Sequence, residues 1–315
     1  MKKHTFILFI WITCLLSGCI LEDQSDCRRS FTLLFRYTGD GTTDIFREKV
    51  TKVNLYVYDA DSKQLVQTYE MDSDDLQRLQ GIRLDDLQPG DYEAVCWGNV
   101  FESSTVTVES QREDGSLAAP EYHTGQPADT NDPHYYGNTL FTVTNDWTDQ
   151  QAVCDFRCAH IDIKVRLEGF DDGIALAGTR AAGDCPVNLH LENLPGYCCF
   201  HGNTHDESAT YEPSLTVAAD DASAYESTFC TLRFTDDSDV TLYLTRPADG
   251  QPIYSLRMEQ FLTENGLSVE DEQEETVEIL LRLNTDGVSI SVTPFEEEEV
   301  HPGMDERRLQ LTMDN

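Results

Sequence analysis

The chain of 315 residues carries 58 acidic side chains against 22 basic ones, a formal net charge of −36. So acidic a chain argues against a nucleic-acid partner, which needs a basic footprint, and it opposes close approach to anionic lipid headgroups. Hydrophobic residues make up 39% and aromatics 10%, enough for packed cores and against global disorder, and the length suits roughly two domains of ~100–200 residues each.

The first element in chain order is the apolar run "FILFIWITCLLSGCILED". Its uncharged stretch, residues 5–16, holds 12 residues, whereas a helix that crosses a bilayer takes ~20. It is too short to span. Lys2 and Lys3 ahead of it form the positive end of an export signal, with the run as its apolar middle. Leu16-Ser17-Gly18-Cys19 is not a site of the A-x-A type; it resembles the bacterial lipobox, in which the cysteine is acylated on its sulfur and becomes the new N-terminus. A plain signal peptide that ends near a cysteine is the competing reading. With a lipobox, residues 1–18 are removed, Cys19 takes the lipid and residues 19–29 form a tether. Two or three acyl chains at ~0.8 kcal/mol per buried CH₂ give stable anchoring, which one myristoyl chain does not.

From Phe31 onward the dominant signal is short alternating runs rather than helical periodicity. "FTLLFRYT" (31–38), "VTKVNLYVYD" (50–59) and "KQLVQTYEM" (63–71) are predicted strands. Asp59 and Asp61 mimic the start of a calcium loop, but Gln64 stands where that loop needs glycine, so residues 59–63 are predicted as a hairpin turn. Residues 84–100 read as a turn at Pro89-Gly90 feeding a strand, with Tyr92, Ala94 and Cys96 on one face. Residues 109–138 are predicted as an extended loop with little regular structure, and residues 138–146 return to strand.

A second strand series starts at "HIDIKVRLEGF" (160–170) and continues at 186–196, 227–237, 238–256 and 276–295, with hairpins expected at 248–251 and 284–287. One short helix is expected at about 256–265, stopped by Gly266. Two strand-rich halves without βαβ alternation predict an all-β protein of two antiparallel β-sandwich domains in tandem, residues 30–150 and 151–295, with the short helix in the second. Residues 296–315 form an acidic polar tail, and the acidic residues at 270–275 read as a solvated loop.

Of ten cysteines, Cys14 leaves with the signal and Cys19 takes the lipid. Cys27, Cys96, Cys154, Cys158, Cys185, Cys198, Cys199 and Cys230 remain, and eight cysteines permit 105 pairings among which the sequence cannot choose. Cys27 and Cys96 fall in the first domain and are candidates for a disulfide. Cys198, Cys199, His201 and His205 invite a zinc reading, but neighbouring cysteines do not easily ligate one ion, and exported thiols tend to oxidise. No nucleophile elbow, phosphate loop, zinc-protease or dinucleotide motif occurs in the sequence. The reading is therefore of a protein that is not an enzyme and takes no cofactor or metal.

Several stretches in order carry a resemblance. The lipobox cysteine, Cys27 leading into "FTLLFRYTGD", then "DIFREKVTKVNLYVYDADSKQLV", "LQPGDYEAVCWGNV", "VNLHLENLPGYCCFHGN", "FCTLRFTDDSDVTLYL", "GQPIYSLRMEQFL" and "TVEILLRLNTDGVSISV" resemble the fimbrillin-associated anchor proteins of Bacteroidales, the minor-fimbria anchor type. The resemblance implies a lipoprotein of two transthyretin-like sandwiches, held on the outer membrane by covalent lipid at Cys19, that anchors the base of a fimbria or ends its growth. Its partners would be fimbrial subunit proteins, one of which contributes or receives a strand at a sheet edge. Glu22 and Asp23 resemble the acidic export signal of surface lipoproteins in this group, which implies display on the outer face. The alternative is a surface glycan-binding lipoprotein, with Tyr135, Tyr136 and Trp147 as the aromatics that would carry it.

Overall fold

The computed structural model describes residues 30–101, 103–146, 148–170, 185–204, 208–274, 276–283 and 291–293. The signal, the tether with Cys19 and Cys27, Trp147, His205, the turn at 284–287 and the acidic tail lie outside these residues.

Alternation of apolar and polar residues builds nine strands in the first half: β1 (Phe31–Arg36), β2 (Val53–Asp59), β3 (Leu65–Met71), β4 (Gly81–Arg83), β5 (Gly90–Gly98), β6 (Thr105–Thr107), β7 (Ser116–Ala118), β8 (Tyr135–Val143) and β9 (Gln150–Cys158). Seven of them follow one another in the hydrogen-bonded order β3-β2-β5-β8-β9-β1-β4. β8 and β9 pair only through Tyr135, Tyr136 and Gly137. Beyond these residues the ladder opens and the sheet folds over into two layers. Leu33 and Phe35 of β1, Val53, Leu55 and Val57 of β2, Cys96 of β5 and Phe156 of β9 meet between the layers as the first core.

Two short helices were not foreseen: α1 (Phe46–Lys49), which plugs Phe46 into this core, and α2 (Ser73–Arg78). The Asp72 carboxylate caps α2 by accepting from the backbone N–H groups of Asp74 and Asp75, which satisfies two donors that the helix itself leaves free. The turn at 59–63 is the expected hairpin, with the Asp59 carboxylate accepting from the Ser62 backbone N–H and hydroxyl, each at 2.8 Å.

The second half contains β10 (His160–Glu168), β11 (Asn188–Pro195), β12 (Tyr197–Cys199), β13 (Ser208–Tyr211), β14 (Thr216–Val217), β15 (Tyr225–Leu232), β16 (Thr241–Thr245), β17 (Pro252–Arg257), α3 (Met258–Asn265), β18 (Val277–Arg282) and β19 (Ser291–Thr293). Sheets β14-β15-β10-β18-β19 and β13-β11-β16-β17 face each other. Ile163, Val165, Leu189, Leu191, Leu242 and Ile279 fill the space between them. α3 closes the core with Met258, Phe261 and Leu262 and ends at Gly266, whose φ of 66° is the left-handed stop expected of it.

The architecture is all-β with one short helix in the second half. Most pairings are antiparallel, and two are parallel: β1 with β9, and β10 with β18. β9 falls in the second half of the sequence division at 150/151, but it pairs with β1 over six residues, from Phe31 opposite Gln150 to Arg36 opposite Asp155. The first sandwich therefore runs on to Cys158.

The stretch 109–138 is more ordered than its composition suggests. Leu117, fully buried, draws β7 into a fourth sheet, β12-β7-β6, built from both halves of the chain. Glu93 holds the start of this stretch: it accepts from Lys63 at 3.2 Å, from Asn138 at 2.8 Å and from Arg112. Tyr56, Tyr58, Val95, Trp97 and Tyr136 turn away from the first core and pack on Leu117 and Phe200 in a cluster continuous with the second core. The two sandwiches thus share apolar interior.

Candidate functional site

The edges of the sheets are the first feature to consider, since an anchor would exchange a strand there. Among the described residues the outermost strands β4, β6, β12, β13, β14 and β19 are four residues or fewer. β17 has six but opens on Pro252, a residue confined to edges because it cannot donate to a ladder. β3, with seven, is paired along one side by β2. Its other side is occupied only at its start, where Leu65 N–H donates to the Ser110 carbonyl at 2.9 Å. Val66, Thr68 and Glu70 alternate outward along it, and Val66 is 47% exposed. β3 is the longest open edge among the described residues.

The second feature is the junction, where β9 passes directly into β10. Asp40 accepts from the backbone N–H groups of Gln273 and Glu274 at 2.9 Å each, and Glu274 accepts from the Tyr37 hydroxyl and pairs with Lys49. Gln273 Oε1 accepts from Cys158 N–H at 3.1 Å, while Arg233 donates to the carbonyls of Cys158, Val269, Glu272 and Gln273. The acidic stretch expected to be a solvated loop forms, over Gln273 and Glu274, a clasp between the two halves.

Beneath the clasp lies a buried polar group. Cys158 Sγ is 3.1 Å from His160 Nδ1, and the same nitrogen donates to the His134 carbonyl at 2.9 Å. His160 Nε2 faces Asp162 Oδ2 at 3.7 Å, and Cys230 Sγ donates to Asp162 Oδ1 at 2.7 Å. Burial opposes charge on His160, but the bonds to Asp162 and Cys158 outweigh it and hold the imidazole pKa up at about 10. Burial pushes the Cys158 thiol up as well, and the His160 imidazolium overcomes this and brings it below its ordinary value. His134, fully buried, behaves oppositely: desolvation lowers it to about 4. The sequence signal for this group was available in the H-x-D spacing of β10, where alternation puts both side chains on one face, but its partner Cys230 is 68 residues away from Asp162.

Other residues singled out in the sequence are placed as follows. Cys96 is fully buried and faces Cys154, with the two sulfurs 3.9 Å apart. Gly137 makes room for them, since a Cβ there would stand 2.7 Å from Cys154 Sγ. Tyr135 and Tyr136 are 4% and 5% exposed, so they are core residues and offer no platform to a glycan. Cys198, Cys199 and His201 do not converge: Cys198 is buried, Cys199 Sγ donates to the Asn203 carbonyl, and His201 lies 3.2 Å from Arg112. Among the described residues no helix is long and apolar enough to cross a membrane.

Comparison with known proteins adds the family. Solved structures share the fold, among them three from Bacteroides and Porphyromonas. The fimbrial anchor protein Mfa2 of Porphyromonas gingivalis superposes with a TM-score of 0.63 at 14% identity, over 85% of this chain and 98% of that one. A candidate adhesin from Bacteroides ovatus gives 0.69 at 12%, over 86% and 96%. A candidate polysaccharide-binding protein from Bacteroides thetaiotaomicron gives 0.64 at 16%, over 86% and 99%. No curated protein sequence matches significantly. The family model described as fimbrillin-A associated anchor proteins Mfa1 and Mfa2 matches residues 24–301. Spanning nearly all of the two-sandwich fold, this match means that the chain belongs to the family of fimbrillin-A associated anchor proteins.

Proposed function

We propose that this protein is a lipoprotein of the outer membrane, acylated at Cys19 and displayed outward, that anchors or terminates a fimbria through a strand-mediated contact with one fimbrial subunit. The observation that carries the reading is the family match from residue 24 to residue 301, which begins five residues beyond the lipobox cysteine. The anchor role follows from the family; the lipid follows from Leu16-Ser17-Gly18-Cys19. For the contact, the open side of β3 offers a row of main-chain donors and acceptors to an extended segment, the arrangement in which backbone bonds give affinity and alternating side chains give register. The glycan alternative has lost its support at Tyr135 and Tyr136, which are interior.

The test compares wild type with Cys19→Ala in the host cell, scoring fimbriae on cells against fimbriae shed to the medium. The reading expects the variant to leave the membrane fraction and filaments to detach. Unchanged filament number, length and attachment, with the protein gone from the membrane, overturns it. Val66→Asp tests the edge separately, since a charge on an open strand blocks pairing: it should stay membrane-bound while copurifying less fimbrial subunit, and undiminished copurification removes β3 as the contact.

A further inference from the structure

We propose that His160, Asp162 and Cys230 form a structural site for a divalent ion of the zinc class at the junction of the two sandwiches. The strand geometry assembles it. His160 and Asp162 stand two apart on the face of β10 that turns away from the second core, and Cys230 on β15 lies directly opposite Asp162 in the antiparallel register. One ring nitrogen, one carboxylate oxygen and one sulfur fall within 4.8 Å of one another. Ligand atoms around tetrahedral zinc, at bond lengths of ~2.0–2.3 Å, stand ~3.3–3.8 Å apart. Turning the Asp162 and Cys230 side chains by about 1 Å therefore gives the required triangle, and both are only partly buried. A nitrogen, oxygen and sulfur donor set suits zinc rather than calcium or magnesium, which take oxygen.

An independent feature is the orientation of the histidine. His160 Nδ1–H is committed to the His134 carbonyl at 2.9 Å, so Nε2 is the nitrogen turned toward Asp162. That is the arrangement by which metal-ligating histidines are held in one tautomer, the ring N–H away from the metal donating to a carbonyl. Binding replaces the proton on His160 Nε2 and the proton on Cys230 Sγ, so two protons leave to solvent and the ion takes three protein ligands. A water supplies the fourth. The ion would tie β10 to β15 where the first sandwich docks, through His134, on the second.

The probe is cobalt(II), added to the full chain in detergent under reducing conditions and followed by desalting. One retained ion per chain is expected, with thiolate-to-cobalt absorption in the near ultraviolet. That absorption should vanish in Cys230→Ser and persist in Cys199→Ser, the other partly exposed thiol. Asp162→Asn, which keeps the side-chain shape, should weaken cobalt binding at least ~10-fold without loss of near-ultraviolet circular dichroism. No retained cobalt in the wild type, absorption that survives Cys230→Ser, or undiminished affinity in Asp162→Asn overturns the site; should Cys230→Ser fail to fold, Asp162→Asn decides.

Discussion

Phe200→Ala is the substitution that most directly tests whether the two sandwiches share an interior. Phe200 is fully buried. Its ring lies 5.1 Å from that of Tyr56 and 6.4 Å from those of Tyr58 and Trp97, all on the outer face of the first sandwich. Its carbonyl accepts from the Tyr136 hydroxyl at 2.8 Å. An aromatic side chain of this kind buries ~150–250 Å², which at ~25 cal/mol per Å² corresponds to about 4–6 kcal/mol for the whole side chain. Truncation to Ala leaves the Cβ, so the expected loss is ~4 kcal/mol, within the ~3–5 kcal/mol common for core Phe. Collapse around the gap is limited, because Tyr56, Trp97 and Tyr136 are fixed in β2, β5 and β8. Urea unfolding followed by tryptophan fluorescence and far-ultraviolet circular dichroism measures the effect. At an m-value of ~3 kcal/mol/M the midpoint should fall by ~1.3 M, and the wild type should give one transition by both probes. A loss below ~1 kcal/mol, or two separated transitions in the wild type, would refute the shared interior.

Glu93→Gln should alter the acid limb of the stability curve. Burial pushes the Glu93 carboxyl up, but the hydrogen bond from Asn138 and the charges of Arg112 and Lys63 overcome this and hold it below the ordinary glutamate value. A folded-state pKa below the unfolded one contributes stability that is full above the unfolded value, ~4.3, and is lost as pH falls through the folded value. The variant should therefore lose less stability than wild type between about pH 5 and pH 3 in denaturation series; parallel curves would count against the pairing. Gly81→Ala should cost more than ~1 kcal/mol, since Gly81 has φ 151° and its Cβ would meet the Leu33 carbonyl oxygen at 2.2 Å; a thermal midpoint within a degree of wild type would show that β4 moves away freely. Asp40→Ala releases the Gln273 and Glu274 backbone N–H groups, so limited proteolysis should cut first at 268–274, and an unaltered pattern would mean that Arg233 holds that loop alone.

The alternating runs made most strands legible. β1, β2, β5 and β10 fall where period two places them, and Gly266 ends α3 where expected. What escaped was short or non-local. α2 is only six residues, and its signal, Asp72 capping a turn with Arg78 at its end, is easily taken for an acidic turn. β9 alternates Cys154, Phe156 and Cys158 inward against exposed Gln151, Val153, Asp155 and Arg157. Its place could not be read, because its parallel partner β1 lies 119 residues away and no local pattern names such a partner. The same holds for the junction. His134 sits in a stretch that composition marks as loop, yet it is buried, with its ring bonded to Ser104, 30 residues back, at 2.7 Å. Charge alone marked Glu274 as solvated, and only the fold brings Tyr37 and Lys49 to it.

The parallel pairing of β1 with β9 bears on how the protein carries load. A pull on the chain ahead of Phe31 acts at the start of β1, beside Gln150, whereas the connection to the second sandwich leaves from the opposite end of β9, at Cys158. Tension between the start of β1 and the second sandwich slides the two strands along each other, and every rung from Phe31 to Arg36 resists together. In a hairpin pulled from its open end the rungs would break in succession, each meeting the full force. Rupture under force is governed by the unfolding rate rather than by equilibrium stability, so the β1–β9 ladder between the start of β1 and the second sandwich is a sheared joint, whose rungs fail together rather than one by one.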